Sequence, residues 1–407
     1  MIHFFKKPLS VKWVERVLLY ILIVTFFVNI QINYFTICIL FVFWLIDKRY
    51  KLAIQNLKDS KIFQALCVYF VFVLISLVYS INIAYGIKTI ESKSALIALP
   101  ILLAGIHWDL RLRNNVLMVF VLALLMLTFY SIVSTIVQYA IDFSDMSYFS
   151  WILPQTSSFT ANYYSLFVVS GIIILIFDFK MIQLRIPKIL IIFLILYLTF
   201  FLAFLGSRAS IVGLIAIVIL FALHKISTPN LRERKKGVLI IIITIISGAG
   251  LIKSVPYLNS RFNQAVFKFK EEPRLPLLSA SFTLFFDNPV FGVGIGDVQD
   301  KLVEEYKRNK NEEAYTRKYN SHNDWVQILV GNGLIGLSLF VYFFYQLCKK
   351  AWKVKNLYMI SFLLFYMMIS MTESILHRNK GVIFFAFFYS IFFLIEIPEE
   401  ESTKHKV

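Results

Sequence analysis

Apolar residues in this chain come in long unbroken runs, near 17–30, 32–46, 62–80, 94–106, 115–141, 160–178, 187–205, 209–223, 237–252, 323–347, 356–371 and 381–397. Roughly 20 helical residues cross a bilayer, and a spanning segment must satisfy its own backbone hydrogen bonds. Each run is therefore read as a helical span, about twelve in all. The second and fourth are short for a crossing, so tilt or partial burial is expected there. The fold class expected is an all-α polytopic membrane protein, with residues 1–407 forming one integral membrane domain.

Charge between the runs sets the orientation. Loops 47–61, 107–114, 178–188, 224–236 and 348–355 are basic, as are both termini, and these belong on the cytoplasmic side. Segment 142–158 carries two Asp and no Lys or Arg, which suits the opposite side. One stretch, 253–321, is expected outside yet is strongly basic, with Lys253, Arg261, Lys268, Lys270, Arg274, Lys301, Lys307, Arg308, Arg317 and Lys318. Long loops escape the charge rule, so an anionic partner accounts for these cations better than topology does. Within this loop, 280–286 reads as a short half-buried helix, 288–296 as a Gly-punctuated turn and 298–311 as a charged surface helix.

Composition agrees with the pattern. Hydrophobic residues make up 59% of the chain and charged residues 16%, against roughly a quarter charged in a soluble domain. The net charge of +17 resides largely in short inter-span loops, so nucleic acid is not the partner it implies. Cys38 and Cys67 fall inside spans and Cys348 at a cytoplasmic end, which leaves no external disulfide pair and no zinc spacing. The first run follows Lys6, Lys7, Lys12 and Arg16 as a signal peptide would. No small-residue cleavage site follows it, so it is expected to be retained.

Few ionisable groups remain at the external face, so each can be weighed singly. The string Gly206-Ser207-Arg208-Ala209-Ser210 joins two spans with almost no loop and holds Arg208 at the interface. A guanidinium there suits phosphate, because its planar fork makes paired bonds and stays charged; an Arg reaching for lipid headgroups is the plainer alternative. Arg274 lies between Pro273 and Pro276, in what reads as a stiff extended strip, and could close over the same phosphates or be a solvated loop cation. Gly292, Gly294 and Gly296 offer backbone N–H groups to an anion, or simply make an interfacial turn.

His322 is the more specific signal. Ser321 or Asn320 is expected to cap the helix that begins there, placing the imidazole in its first turn, where the positive helix end favours a neutral, proton-accepting ring. Asp324 is a candidate to orient that ring, although i and i+2 side chains do not share a helix face. The alternative is an interfacial histidine with a satisfied hydrogen bond. Farther along, the Gly331-Asn332-Gly333-Leu334-Ile335-Gly336 string reads as packing that lets another helix approach closely. His377 beside Arg378 is the runner-up site, and Glu373, one turn earlier, has no role assigned.

These strings, in this order, resemble the O-antigen ligase and polymerase family of bacterial membrane glycan transferases: an Arg between two spans, a large external loop with a second Arg before a Pro- and Gly-rich stretch, then a His opening the next span. The resemblance covers about 201–340. It implies a fold of the lipid-dependent glycosyltransferase type in the bacterial inner membrane, with the long loop periplasmic. It also implies transfer of a glycan from undecaprenyl diphosphate to an acceptor hydroxyl, such as that of lipid A core, with no metal or cofactor. Arg208 and Arg274 would hold the donor diphosphate and His322 would deprotonate the acceptor. The sequence departs from the family at Pro273-Arg274-Leu275-Pro276, where members often have Gly-Arg with an aromatic a few residues on.

Competing classes fit less well. A metal-dependent oligosaccharyltransferase would place acidic ligands in its first external loop, which here is only Asn29-Ile30-Gln31. A transporter of lipid-linked glycan would need charges along a path through the helices, whereas these gather on one face. A purely structural protein would leave the base and the two arginines without a shared purpose. Ligation of O-antigen, polymerisation of repeat units and glycosylation of protein all remain open within the family, with the last disfavoured by the lack of a large domain after the final span.

Overall fold

The computed structural model describes residues 11–141, 146–157, 159–177, 186–254, 259, 262–263 and 274–395, and the described residues contain helices and no strand. Each apolar run is centred on a helix. Arg261, Lys268, Lys270 and Pro273, and the terminal residues used in the charge argument, lie outside the described residues. Polar caps mark several helix starts, as capping of otherwise unsatisfied N–H groups requires: Asn29 accepts from Gln31, Ser60 from Phe63, Asn323 from Trp325 and Val326, and Asn356 from Tyr358 and Met359.

Among the described residues, four helices are long and apolar enough to cross a membrane: Leu110–Gln138, Lys188–Leu205, Arg208–Ile226 and Asp324–Val354. A fifth candidate is the pair Ile30–Ile46 and Tyr50–Leu57, bent by 97° at a short break. Others are shorter apolar helices, among them Lys61–Ile75, Ala161–Phe177 and Leu357–Ser370. The fourth run differs the other way. Its helix is Ile83–Ala104 and begins well before the hydrophobic stretch, through Lys88, Glu91 and Lys93. Hydropathy hides that extension because its polar groups have internal partners: Lys93 Nζ donates to Leu376 O at 3.2 Å, and Ser92 bonds Asn379.

Helices buried on all sides sit at the centre, as expected of helices apolar all round. Residues 163–175 of Ala161–Phe177 are buried throughout, as are 381–389 of Asn379–Tyr389. Aromatic edges lock the two together, with Phe167 and Phe384 ring centroids 4.9 Å apart. A second, smaller core forms where Leu277, Ala280, Leu284, Val298, Leu302 and Tyr306 pack on Val326 and Val330. Part of the long basic segment is therefore a small helical cap fastened to the start of Asp324–Val354.

That helix is broken at Gly333, whose backbone has φ 61° and ψ −164°. The break frees N–H and C=O groups, and the turn 288–296 satisfies them. Leu334 N donates to Pro289 O at 2.9 Å and Ile335 N to Val290 O at 3.3 Å, while Val330 O and Gly331 O accept from Val293 N and Gly294 N at 2.9 and 3.0 Å. Contact is backbone to backbone. A Cβ on Gly292 would lie 2.6 Å from Asn332 N, and one on Gly333 would lie 2.2 Å from Val290 O. The expectation that the 331–336 glycines admit another helix holds at Gly331, which faces Val298 of the helix Val298–Arg308, and at Gly336, which faces Phe72 of Lys61–Ile75, whereas Gly333 admits the loop.

Candidate functional site

Five segments meet at one cavity of about 340 Å³, lined by residues 160–163, 205–209, Arg274, His322, Glu373 and Arg378. Gly206 ends the helix Lys188–Leu205 in the left-handed conformation, at φ 66°, which glycine adopts without a Cβ penalty. The chain reverses at once, and Arg208 opens the next helix beside the cavity. Arg274 reaches the same space from the cap. It is not in an extended strip as expected from its flanking prolines: it is the first residue of the helix Arg274–Asp287, and Pro276 sits in the first turn, where a missing N–H costs nothing.

His322 differs from expectation as well. The helix starts at Asp324 with Asn323 as its cap, so His322 precedes the helix and the positive helix end does not act on it as proposed from sequence. Its backbone is left-handed, φ 48°, a conformation uncommon for a residue with a Cβ. The Asn320 carboxamide, accepting from His322 N at 2.9 Å, holds that turn. Ser321 N and Oγ both donate to Gln327 Oε1, which ties the preceding residue to the helix.

The ring is oriented by Glu373. His322 Nδ1 lies 3.2 Å from Glu373 Oε1, with side chains 28% and 10% exposed. If the Nδ1 proton is shared with the carboxylate, Nε2 is left as the proton acceptor. Glu373 Oε2 in turn accepts from Asn162 Nδ2 at 2.6 Å. The Asn162 carbonyl oxygen accepts from Ser207 Oγ at 3.1 Å, and Ser207 bonds Ser210 at 2.9 Å. One hydrogen-bonded line thus runs from the turn that carries Arg208 to the imidazole. Burial alone would raise the Glu373 carboxyl, but the hydrogen bond and charge of His322, the Asn162 amide and the Arg274 charge bring it below the ordinary value.

Asp324 is not the orienting group. It is buried, accepts from Tyr366 OH at 3.1 Å and Leu376 N at 2.9 Å, and faces the buried Lys93. Since Lys93 donates to Leu376 O, two opposite charges clamp the Leu376 peptide from its two ends. Asn323 adds bonds to Ser374 Oγ and Met371 O, and Trp325 Nε1 bonds Ser370 Oγ. The residues around His322 are thereby fixed to the 370–376 segment, whose Glu373 meets the ring.

Two other sequence readings are corrected. Gly292, Gly294 and Gly296 do not line the cavity, and their N–H groups donate to Asn288 O, Gly331 O and Ser80 Oγ, so none is offered to an anion. The runner-up pair His377 and Arg378 divides: Arg378 lines the His322 cavity, whereas His377 lines a different one with Lys93, Tyr34 and Tyr85. Adjacent side chains on an extended backbone point apart, and Arg378 has φ −122° and ψ 136°.

Glu373, Asn162 and Ser207 were missed from sequence. A signal existed for Glu373: it is the one carboxylate in the stretch 356–395, before Glu396, and an ionisable group beside membrane spans marks function by default. Asn162 gave no such signal, since an Asn at a span end is ordinary. Arrayed together, the cavity offers three guanidiniums, one carboxylate and one imidazole, an arrangement able to hold a polyanion next to a proton acceptor. No group of three or more His, Cys, Asp and Glu able to hold a metal ion occurs among the described residues. No curated protein matches the chain. Residues 192–341, which include Arg208, Arg274 and His322, match the family model described as O-antigen ligase.

Proposed function

We propose that the chain is a membrane glycosyltransferase that moves a glycan from undecaprenyl diphosphate to an acceptor hydroxyl, as an O-antigen ligase acting on lipid A core. The observation that carries this reading is the convergence of Arg208, Arg274 and His322, far apart in sequence, on one cavity. In the proposed topology the chain crosses the bacterial inner membrane about twelve times with both termini cytoplasmic. Every residue lining the cavity belongs to a helix end or loop that this topology puts outside, with 253–321 as the periplasmic loop.

In the proposed reaction the acceptor O–H gives its proton to His322 Nε2 as its oxygen attacks the anomeric carbon. The bond from that carbon to the diphosphate oxygen breaks, and its electron pair leaves with the diphosphate. Attack opposite to the leaving group inverts the anomeric centre. Arg208 and Arg274, joined by Arg378, neutralise the charge that grows on the diphosphate, which fixed donors in a partly dehydrated site do at little reorganisation cost. Glu373 holds the imidazole in the tautomer that accepts at Nε2 and stabilises the charged ring once the proton arrives, the role a buried carboxylate plays beside a histidine base. No step requires a cofactor.

Polymerisation of repeat units uses the same chemistry with a glycan as the acceptor, and it is the alternative. Purified protein in detergent, given undecaprenyl-diphosphate-linked glycan and either lipid A core or a second lipid-linked glycan, with and without chelator, separates the two. Transfer to lipid A core supports the ligase and chain extension supports the polymerase. Absence of transfer to any acceptor hydroxyl would end the glycosyltransferase reading, and loss of activity with chelator would end its metal-free form.

A further inference from the structure

At the other end of the Asp324–Val354 helix from His322 lies a second cavity, about 740 Å³, between that helix and the start of Lys61–Ile75. Lys349, Lys350 and Lys353 enter it from the last turns of one helix and Lys61 from the first turn of the other, against the single carboxylate of Asp59. The first turn of Lys61–Ile75 also presents the free N–H groups and positive end that open an α-helix. Charge, however, is not the whole of the lining. Gln346, one turn before Lys349 and Lys350, is 7% exposed and lines the cavity.

Beside these polar groups the same cavity is walled by Ile62, Val354 and Leu394. Cations, an amide and an apolar wall in one groove match a ligand that joins a phosphate to a hydrocarbon chain. Trp352, 78% exposed on the adjoining turn, marks the level where aromatic residues meet lipid headgroups.

We propose that this groove binds an anionic phospholipid, with the phosphate at Lys61, Lys349, Lys350, Lys353 and Gln346 and an acyl chain along Ile62, Val354 and Leu394. The site is separate from the His322 cavity and does not depend on the reaction assigned there. It differs from general attraction of basic loops to an anionic leaflet, because the lysines share one cavity with the Gln346 amide and an apolar wall.

The test uses the full-length protein in nanodiscs of phosphatidylcholine with a minority of phosphatidylglycerol, and reads by native mass spectrometry the lipid retained after detergent release. Wild-type protein is expected to retain phosphatidylglycerol selectively. Lys349→Gln/Lys350→Gln/Lys353→Gln should lower that retention at least ~10-fold, since each lysine near a headgroup contributes a several-fold factor. Gln346→Leu, which leaves every charge in place, should lower it about 3-fold, the scale of one hydrogen bond to a charged group attenuated by solvent. Lys51→Gln/Lys58→Gln/Lys235→Gln removes the same charge from basic loops outside the groove and should leave retention unchanged. Equal loss in this control would overturn the proposal by reducing it to bulk attraction. Displacement of the lipid by millimolar inorganic phosphate would overturn the lipid assignment in favour of a free anion.

Discussion

His322 and Asp324 stand two residues apart at the start of one helix, yet their surroundings are opposite. His322 borders an open cavity with three arginines, and one ring nitrogen is engaged by Glu373. Asp324 is buried, with oxygens committed to Tyr366 and Leu376 and with Lys93 as counter-charge. A polar group that keeps an unspent atom facing a cavity is equipped to react, whereas one whose bonds are all made inside the protein is equipped to hold. Asn323 between them, as helix cap, turns one side chain outward and the other inward.

The sharpest break of this contrast is in turnover. His322→Ala should reduce transfer by about 10²–10⁴-fold, the usual worth of general-base help, with lipid-linked glycan accumulating and the unfolding temperature in detergent unchanged. Normal product from this variant would remove the base from the scheme. Asp324→Ala should fail in the reverse way. It leaves Lys93 buried without its counter-charge, a loss of about 3–5 kcal/mol, seen as a lowered unfolding temperature and poor yield; a stable but inactive Asp324 variant would erase the distinction between the two residues.

Arg208→Lys keeps the charge and loses the two-pronged geometry, so transfer should fall on the order of 10²-fold, as when one charge-stabilising donor is removed. Wild-type rates would relegate Arg208 to a headgroup anchor. The smallest expected effect, about tenfold in turnover, belongs to Glu373→Gln, which preserves shape but not charge. Its pH signature sharpens the contrast. Glu373 titrates below its ordinary value in the fold, so its stabilising contribution is complete above the ordinary carboxylate range and is lost as pH falls through the folded value. The stability gap between wild type and Glu373→Gln should therefore be constant near neutrality and close in acid; a gap that persists in acid would show that Glu373 bears no functional charge pairing.

Much of the helical pattern was readable in advance because a bilayer-scale apolar run leaves the backbone little choice. The run 160–178 became Ala161–Phe177, and 187–205 became Lys188–Leu205, almost residue for residue. Arg208 and His322 could be singled out because cations and imidazoles are scarce outside the basic loops, and Arg274 because Pro273 and Pro276 flank it. Errors arose where a residue's meaning depended on a distant partner. Gly292, Gly294 and Gly296 looked like an anion nest, but the break at Gly333 had already claimed that loop. Asp324 looked like the group that orients His322, but the clamp on Leu376 had claimed it.

Local composition thus determined where helices form, which segments are basic, and which few polar residues are scarce enough to matter, since these follow from hydration and short-range backbone geometry. Only the tertiary structure decided that Glu373 rather than Asp324 meets His322, that Arg378 joins Arg208 and Arg274 while His377 turns away, and that the glycine loop mends a broken helix. Such pairings depend on how helix ends are brought together by the packing of buried aromatic faces, and hydropathy along a chain carries no record of which end lies beside which.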